Sequence, residues 1–477
     1  MILPMVWLAL LGCQADLKPV DMDLPLIPLP QKVQVYQGVF DPGPDMLTWI
    51  RAYEETGELP SPALGKIKLV AETSEGAQIS EYKLEIRKKG VTIRASEPSG
   101  WFYGLQTLEQ LLEASGDGKI PLADIHDFAT FGWRGLMLDC SRTFLPKEYI
   151  LTMIDRLADI KMNVLHLHLT DDQGWRIEIR SHPELTAVCS SFDPKYPGEI
   201  NGFYTQGDIR DMVAYAAKRQ VTLVPEIEMP GHSSEIFAAL PGLSCSGKKS
   251  EIFPYFKGPG VTEQILCAGN DSVFSLMEDV ISEVIDLFPS EYIHIGGDEA
   301  PKTAWENCPK CQKRIKEEGL KDEAELQSYF IRRMEKFINS KGRKLIGWDE
   351  ILEGGLAENA AVMSWRGIQG GIDAAVMGHP VVMSPTSHCY FDYSHETTPA
   401  EKVYQYQPVP DQLNTSEAKL ILGAQANMWT HIARTPEAID SQIFPRIYAL
   451  AEVVWTHPAT RDFSDLKKRI EIISHQK

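Results

Sequence analysis

Two adjacent carboxylates, Asp298 and Glu299, close the stretch Tyr292-Ile-His-Ile-Gly-Gly-Asp-Glu-Ala-Pro301. The apolar residues before them read as a buried strand, and Gly296-Gly297 break it. An acidic pair at the end of such a strand suits proton or charge chemistry, because unpaired carboxylates are costly to bury. The same residues would also open a helix, where Asp and Glu favour the first turn and Pro301 fits. These ten residues leave the two readings level.

Seven further apolar runs end in residues of the same kind. They close on Asp139 and Arg142, on Asp171 and Asp172, on Glu226, Glu228 and His232, and on Trp348 and Asp349. The last three close on Trp365 and Arg366, on Tyr390 and Asp392, and on Trp429 and His431. A single Trp is ordinarily structural, since Trp is mostly buried. Eight such ends in one chain need a common cause.

That cause is architectural. From Trp133 onwards, short apolar strands alternate with helical patterns, the signature of a parallel α/β arrangement. Eight strands are expected, the fourth over Tyr292–Gly296 and the eighth over Ile421–Ala424, with a last helix over Pro436–Trp455. Eight units across roughly 300 residues predict a (β/α)8 TIM barrel over 132–477, with its chemistry at the C-terminal strand ends. An open doubly wound sheet is the alternative, but no Gly-rich phosphate loop supports it. Residues 24–131 show period-two alternation at Lys32–Tyr36, Ile67–Val70, Tyr82–Ile86 and Val91–Arg94, then helical spacing over Phe102–Leu112. They predict a small α+β domain with a supporting role.

The 477 residues, 43% hydrophobic with ten Trp, suffice for a large core. A net charge of −19 argues against nucleic acid or an acidic lipid surface as the main partner. The leader MILPMVWLALLGC, residues 1–13, is too short to span a bilayer and reads as a secretory signal. Its end resembles a bacterial lipobox with Cys13 as the lipidated residue. No Lys or Arg precedes the apolar run, so an ordinary cleaved signal or a misplaced start is the competing reading. The expectation is export to the periplasm or the outer membrane of a bacterium, with a lipid anchor through Cys13. Export permits disulfides. Cys308-Pro-Lys-Cys311 lacks the second pair that a structural zinc site needs, so a local disulfide or two plain thiols is expected, with Cys245–Cys267 as a second bridge. No metal and no cofactor is expected.

Three Trp and a Tyr among carboxylates and an Arg suggest a sugar site. Aromatic faces stack on the C–H face of a pyranose, while carboxylates and Arg bind its hydroxyls. Glycoside hydrolysis needs a general acid with a raised pKa, and Glu299 is the candidate, with Asp298 and partial burial expected to push it upward. Adjacent side chains at a strand end diverge, so this pair would not flank an anomeric carbon from opposite faces. A substrate that brings its own nucleophile, the carbonyl oxygen of a 2-acetamido group, resolves the difficulty.

At this point the chain resembles the β-N-acetylhexosaminidases of glycoside hydrolase family 20, which are substrate-assisted exceptions to the two-carboxylate rule. The resemblance rests on Trp133-Arg-Gly-Leu-Met-Leu-Asp-Cys-Ser-Arg142, His166-Leu-His-Leu-Thr-Asp-Asp-Gln-Gly-Trp175, Pro225-Glu-Ile-Glu-Met-Pro-Gly-His232 and His294-Ile-Gly-Gly-Asp-Glu299. It implies exo-acting removal of terminal β-linked N-acetylglucosamine or N-acetylgalactosamine. By the same resemblance, Glu299 is the general acid/base, Asp298 holds the acetamido N–H, and Tyr390 binds the acetamido oxygen. Trp348, Trp365 and Trp429 wall the pocket, Arg142 and Asp392 bind hydroxyls, and Asp171 and His232 relay charge to Glu299. Two positions depart from the family pattern. Glu228 replaces an Asp, and His431 replaces a Glu that binds O4 and O6. The second change suggests a 6-sulfated sugar, against the alternative of an unmodified hexosamine held by a compensating donor.

Three other functions are compatible with some of these residues. A metal-dependent barrel hydrolase would use His166, His168, His232 and His294, but it explains neither the tryptophans nor Glu299. A non-catalytic glycan-binding lipoprotein would keep the fold without needing the Asp298-Glu299 pair. A hydrolase with a carboxylate nucleophile is the third.

Overall fold

The computed structural model describes residues 17–73, 76–258 and 262–474; the leader and Cys13 lie outside them. The chain divides into two compact units, one built on Pro30–Phe128 and one on Ala129–Glu471 with Ile27–Leu29.

The smaller unit holds a six-stranded sheet in the order Pro19–Val20, Lys32–Phe40, Ile120–Asp127, Tyr82–Arg87, Gly90–Ala95, Ile67–Ala71. Each of the four expected strands is present and slightly longer than its alternating core. The helix runs over Pro98–Glu113, and Gly104 lets it approach the sheet, since a Cβ there would press on Ile93. Sequence reading missed the helix Met46–Thr56 and the strand Ile120–Asp127. The strand carries a Pro and three ionisable residues that mask its alternation. Its Asp127 is nevertheless fully buried, accepting a hydrogen bond from the Tyr82 hydroxyl at 2.7 Å.

In the larger unit eight parallel strands close into a barrel: Trp133–Asp139, Val164–His168, Thr222–Glu226, Tyr292–His294, Lys344–Trp348, Ala361–Ser364, Val381–Met383 and Ile421–Met428. The eighth returns to the first in register, from Gly423 opposite Trp133 to Met428 opposite Leu138. Strand one is buried at every position, as a strand covered on both faces must be. The helices outside bury one stripe each. Lys147–Asp159, for example, turns Ile150, Met153, Ile154 and Leu157 inward. Within the barrel, Trp133, Val164, Val224, Tyr292 and Ile346 form an apolar cluster.

Three expectations need correction. Strand four stops at His294 rather than Gly296, because Gly296 and Gly297 turn with φ of +65° and +93°. The expected last helix is two, Pro436–Ile443 and Arg446–Trp455, divided at Pro445, which has no amide proton to continue the ladder. Strand eight runs on to Met428, carrying Gln425 and Asn427 into the barrel's polar interior. The link from strand five to strand six holds only a 3₁₀ turn, Asp349–Leu352, so one of the usual helices is replaced by a turn. No helix among the described residues is long and apolar enough to cross a membrane.

Candidate active site

The double glycine after strand four is a packing requirement. A Cβ on Gly296 would overlap the Glu228 carboxylate, and one on Gly297 would press on Ile351. The turn carries Asp298 into the barrel mouth, where it is 8% exposed, and leaves Glu299 half-exposed beside it. Glu299 sits at φ +42° and His232 at φ +46°, a left-handed conformation that non-glycine residues rarely hold. Gly231 makes room for this contact, since a Cβ there would meet the backbone of Asp298 and Ala300.

His232 lies among four carboxylates, Asp172 the farthest at 3.9 Å. Its Nδ1 lies 3.1 Å from Asp171, and its Nε2 lies 3.4 Å from Glu299 and 3.7 Å from Asp298. Burial opposes the charged imidazole, but Asp171 and Asp298 outweigh it and hold the His232 pKa well above its usual value. Asp171 is tied in turn to Arg142 at 2.7 Å, with its own pKa lowered against burial by Arg142 and His232. The two catalytic candidates respond in opposite directions. The hydrogen bond from His232 lowers the Glu299 pKa against burial. Burial raises Asp298 from 3.8 to about 6, with Glu226 and Glu299 adding to the rise and His232 opposing it. The expected upward push on Glu299 is therefore corrected: its bond to His232 outweighs burial and the charge of Asp171.

Around this pair the aromatic rings follow one another. Trp365 stacks on Tyr390 with centroids 6.1 Å apart, Tyr390 lies 6.4 Å from Trp429, and Trp429 lies 6.0 Å from Trp348. Arg142 lies over the Trp429 ring at 4.8 Å. Asp392 is buried, its pKa pushed up to about 7 by that burial, on a loop held by Arg446 through the carbonyls of Phe391 and Tyr393. Arg142 Nε and Nη1, Asp298 Oδ1, Trp348 Nε1 and Asp392 Oδ1 are buried without hydrogen-bond partners. Buried polar atoms are normally satisfied, so several orphans around one aromatic enclosure suit a ligand rich in hydroxyl and amide groups. His431 stands further out, 4.8 Å from the Tyr255 ring, with its pKa lowered by burial and by Arg142.

Directly beneath lies a second polar layer. His166 Nε2 is 3.1 Å and His294 Nδ1 is 2.7 Å from Glu226, and His168 is 3.2 Å from Glu228 and 3.3 Å from Asp139. All are fully buried. The metal-hydrolase reading placed His166 and His294 at the reacting centre; they instead pack inside the barrel, with His294 against the Trp348 ring. They brace the site from below.

The glycosyl hydrolase family 20 catalytic-domain model matches residues 131–458, and the model for domain 2 of the same family matches 45–128. The chain belongs to glycosyl hydrolase family 20. A β-hexosaminidase of Porphyromonas gingivalis is 42% identical over 97% of this chain, and the alignment spans 65% of that protein's length. A family 20 exo-β-N-acetylglucosaminidase of Vibrio harveyi, solved with N-acetylglucosamine, superposes with a TM-score of 0.83 at 29% identity, covering 98% of this chain and 79% of that one. A β-N-acetylhexosaminidase of Bacteroides fragilis gives 0.82 at 29% identity, covering 94% and 96%.

The geometry brings two further residues to the candidate site, Glu350 and Tyr255. Glu350 accepts from the Trp365 indole at 2.8 Å and fixes that ring; burial, then Asp298, push its pKa to about 8. It follows the expected Trp348-Asp349 pair directly and was open to notice. Tyr255 lies in a long loop after strand three without periodicity, and nothing in the sequence marks it.

Proposed function

We propose that this chain is an exo-acting β-N-acetylhexosaminidase that removes terminal β-linked N-acetylglucosamine or N-acetylgalactosamine by substrate-assisted, retaining hydrolysis. The observation that carries the reading is the inequality of the carboxylate pair. Asp298 is buried with one oxygen unpartnered, whereas Glu299 is accessible and tied through His232 to Asp171. In the first step ionised Asp298 accepts the acetamido N–H and Tyr390 donates to its carbonyl oxygen. That oxygen attacks C1 while Glu299 gives a proton to the departing glycosidic oxygen. The positive oxazolinium ring forms beside Asp298, where a preorganised negative charge is most effective. Glu299 then takes a proton from water, which opens the ring at C1 and restores the β configuration.

Protonated Glu299 is uncommon in the free site, where its pKa is lowered. A sugar seated among the tryptophans desolvates Glu299, and desolvation raises a carboxyl pKa. His232 is the adjacent proton source. Substrate binding therefore turns Glu299 from base into acid. His431 is neutral at pH 7 by its lowered pKa, so it offers hydrogen bonds to the outer sugar hydroxyls rather than a counter-charge. This favours an unmodified hexosamine over a 6-sulfated one. Export with lipidation at Cys13 accompanies the reading; labelling wild type and Cys13→Ala with a fatty-acid probe tests it.

The decisive experiment is hydrolysis of an aryl β-N-acetylglucosaminide by wild type and Glu299→Gln. The substitution should lower kcat by about 10²–10⁴-fold when the leaving group needs protonation. A thiazoline mimic of the cyclic intermediate should inhibit competitively; absence of inhibition would favour a carboxylate nucleophile, and absence of turnover a binding protein.

A further inference from the structure

Outside the barrel mouth, four cysteines from three separate segments converge. Cys245 Sγ lies 3.7 Å from Cys311 Sγ, and Cys267 Sγ lies 3.7 Å from both Cys308 and Cys311. The four sulfurs all lie within 4.8 Å of one another. We propose that Cys245, Cys267, Cys308 and Cys311 form a structural zinc site that locks together the loops carrying His232 and Glu299.

The distances decide between the two chemistries open to four thiols. Disulfide sulfurs are about 2.05 Å apart. A tetrahedron of thiolates around zinc, with Zn–S of about 2.3 Å, has edges of about 3.8 Å. Two disulfides would also give each cysteine one near partner, whereas Cys267 and Cys311 each have two at the same distance. A full set of four protein ligands leaves no open position for water, which assigns the ion to structure rather than catalysis. The expected bridges, Cys245–Cys267 and a local Cys308–Cys311, are not what this arrangement favours. The missing second C-x-x-C is supplied by two isolated cysteines 22 positions apart in the numbering.

The surrounding backbone is built for close approach. Ser244 and Leu266 form an isolated antiparallel bridge, setting the two following cysteines side by side. A Cβ on Gly269 would collide with the backbone of Lys310 and Cys311, so only glycine lets these segments meet. Cys308 precedes the first turn of the helix Pro309–Glu318, whose amide end favours thiolates. The cluster reaches the site through two hydrogen bonds. Leu266 N–H donates to Pro230 O at 3.0 Å, two residues before His232, and the Trp305 indole donates to Leu266 O at 2.9 Å, six residues after Glu299.

The test does not depend on the reaction. Wild-type protein purified without chelator should hold one zinc per chain by elemental analysis. A mercurial should release that zinc to a colorimetric indicator. Protein reconstituted with Co²⁺ should show thiolate charge-transfer and tetrahedral d–d absorption. Cys308→Ser/Cys311→Ser should lose at least about tenfold in zinc content. Should that variant fail to fold, the wild-type zinc stoichiometry and the cobalt spectrum still decide. Metal-free wild type with an intact mass showing two disulfides, or with four thiols that bind no added Zn²⁺, overturns the proposal.

Discussion

Glu299 and Asp298 are neighbours in sequence, yet their environments push them apart. In the proposed mechanism Asp298 has to be ionised to accept the acetamido N–H, and its pKa is raised to about 6. The acid limb of kcat/KM should therefore fall near pH 6, and Asp298→Asn should abolish that limb while lowering kcat by about 10²–10³-fold. Stability should move the other way. Because the folded pKa is raised, the native state binds more protons than the unfolded chain between 3.8 and about 6, so stability is lost as pH rises through that window. The cost at neutral pH is about 3 kcal/mol by the size of the shift. Asp298→Asn should melt above wild type at pH 7.5 and level with it at pH 4 in thermal scans; a variant less stable at both would contradict the account. Asp171→Asn tests the relay. Removing that carboxylate lowers the His232 pKa, weakens the imidazolium bond to Glu299, and should shift the pH profile while reducing kcat by about tenfold. An unchanged profile would leave Asp171 a merely structural ligand of Arg142.

At the scale of elements, legibility followed burial. The eight barrel strands could be read because strands covered on both faces are short apolar runs, and the helices because each buries one stripe. The candidate site residues come together because a barrel gathers all its strand ends at one mouth. Three features resisted for physical reasons. Pro445 splits a helix whose apolar spacing continues across it. The sign of the Glu299 shift depends on His232, 67 positions earlier and brought near only by the fold. The four-cysteine cluster depends on a backbone crossing at Gly269 that no spacing rule encodes. The departure at Glu228 also acquires a physical context, since its carboxylate occupies the space a side chain at Gly296 would need. Gly296→Ala combines that overlap with a positive φ and should cost about 3 kcal/mol or more in denaturant unfolding. Adding Glu228→Asp, which shortens the obstructing side chain, should recover part of the loss; strict additivity in the double-mutant cycle would deny the contact.

For the molecule as a whole, the net charge of −19 and the neutral pocket rim make one forecast about substrate choice. A neutral hexosamine feels little of the protein's field, whereas a 6-sulfated sugar is repelled at distances that salt screens, about 10 Å at 0.1 M. Among the described residues, the two groups placed at the sugar's outer side, Arg142 and His431, offer a sulfate little free positive charge. The charge of Arg142 is offset by Asp171 at 2.7 Å and by nearby Asp139, although its Nε and Nη1 remain open to neutral hydroxyls, and the His431 pKa is lowered by burial and by Arg142 itself. At pH 7 and about 20 mM salt, kcat/KM for a 6-sulfated aryl N-acetylglucosaminide should therefore fall below that for the plain one. Raising salt to about 300 mM should narrow the gap, with the plain substrate unaffected. His431→Glu restores an acceptor for outer hydroxyls and adds a negative charge, so it should widen the gap further. Higher kcat/KM on the sulfated substrate at low salt would instead show that the imidazole carries a proton when sulfate is bound, and would assign the outer pocket to anionic sugars.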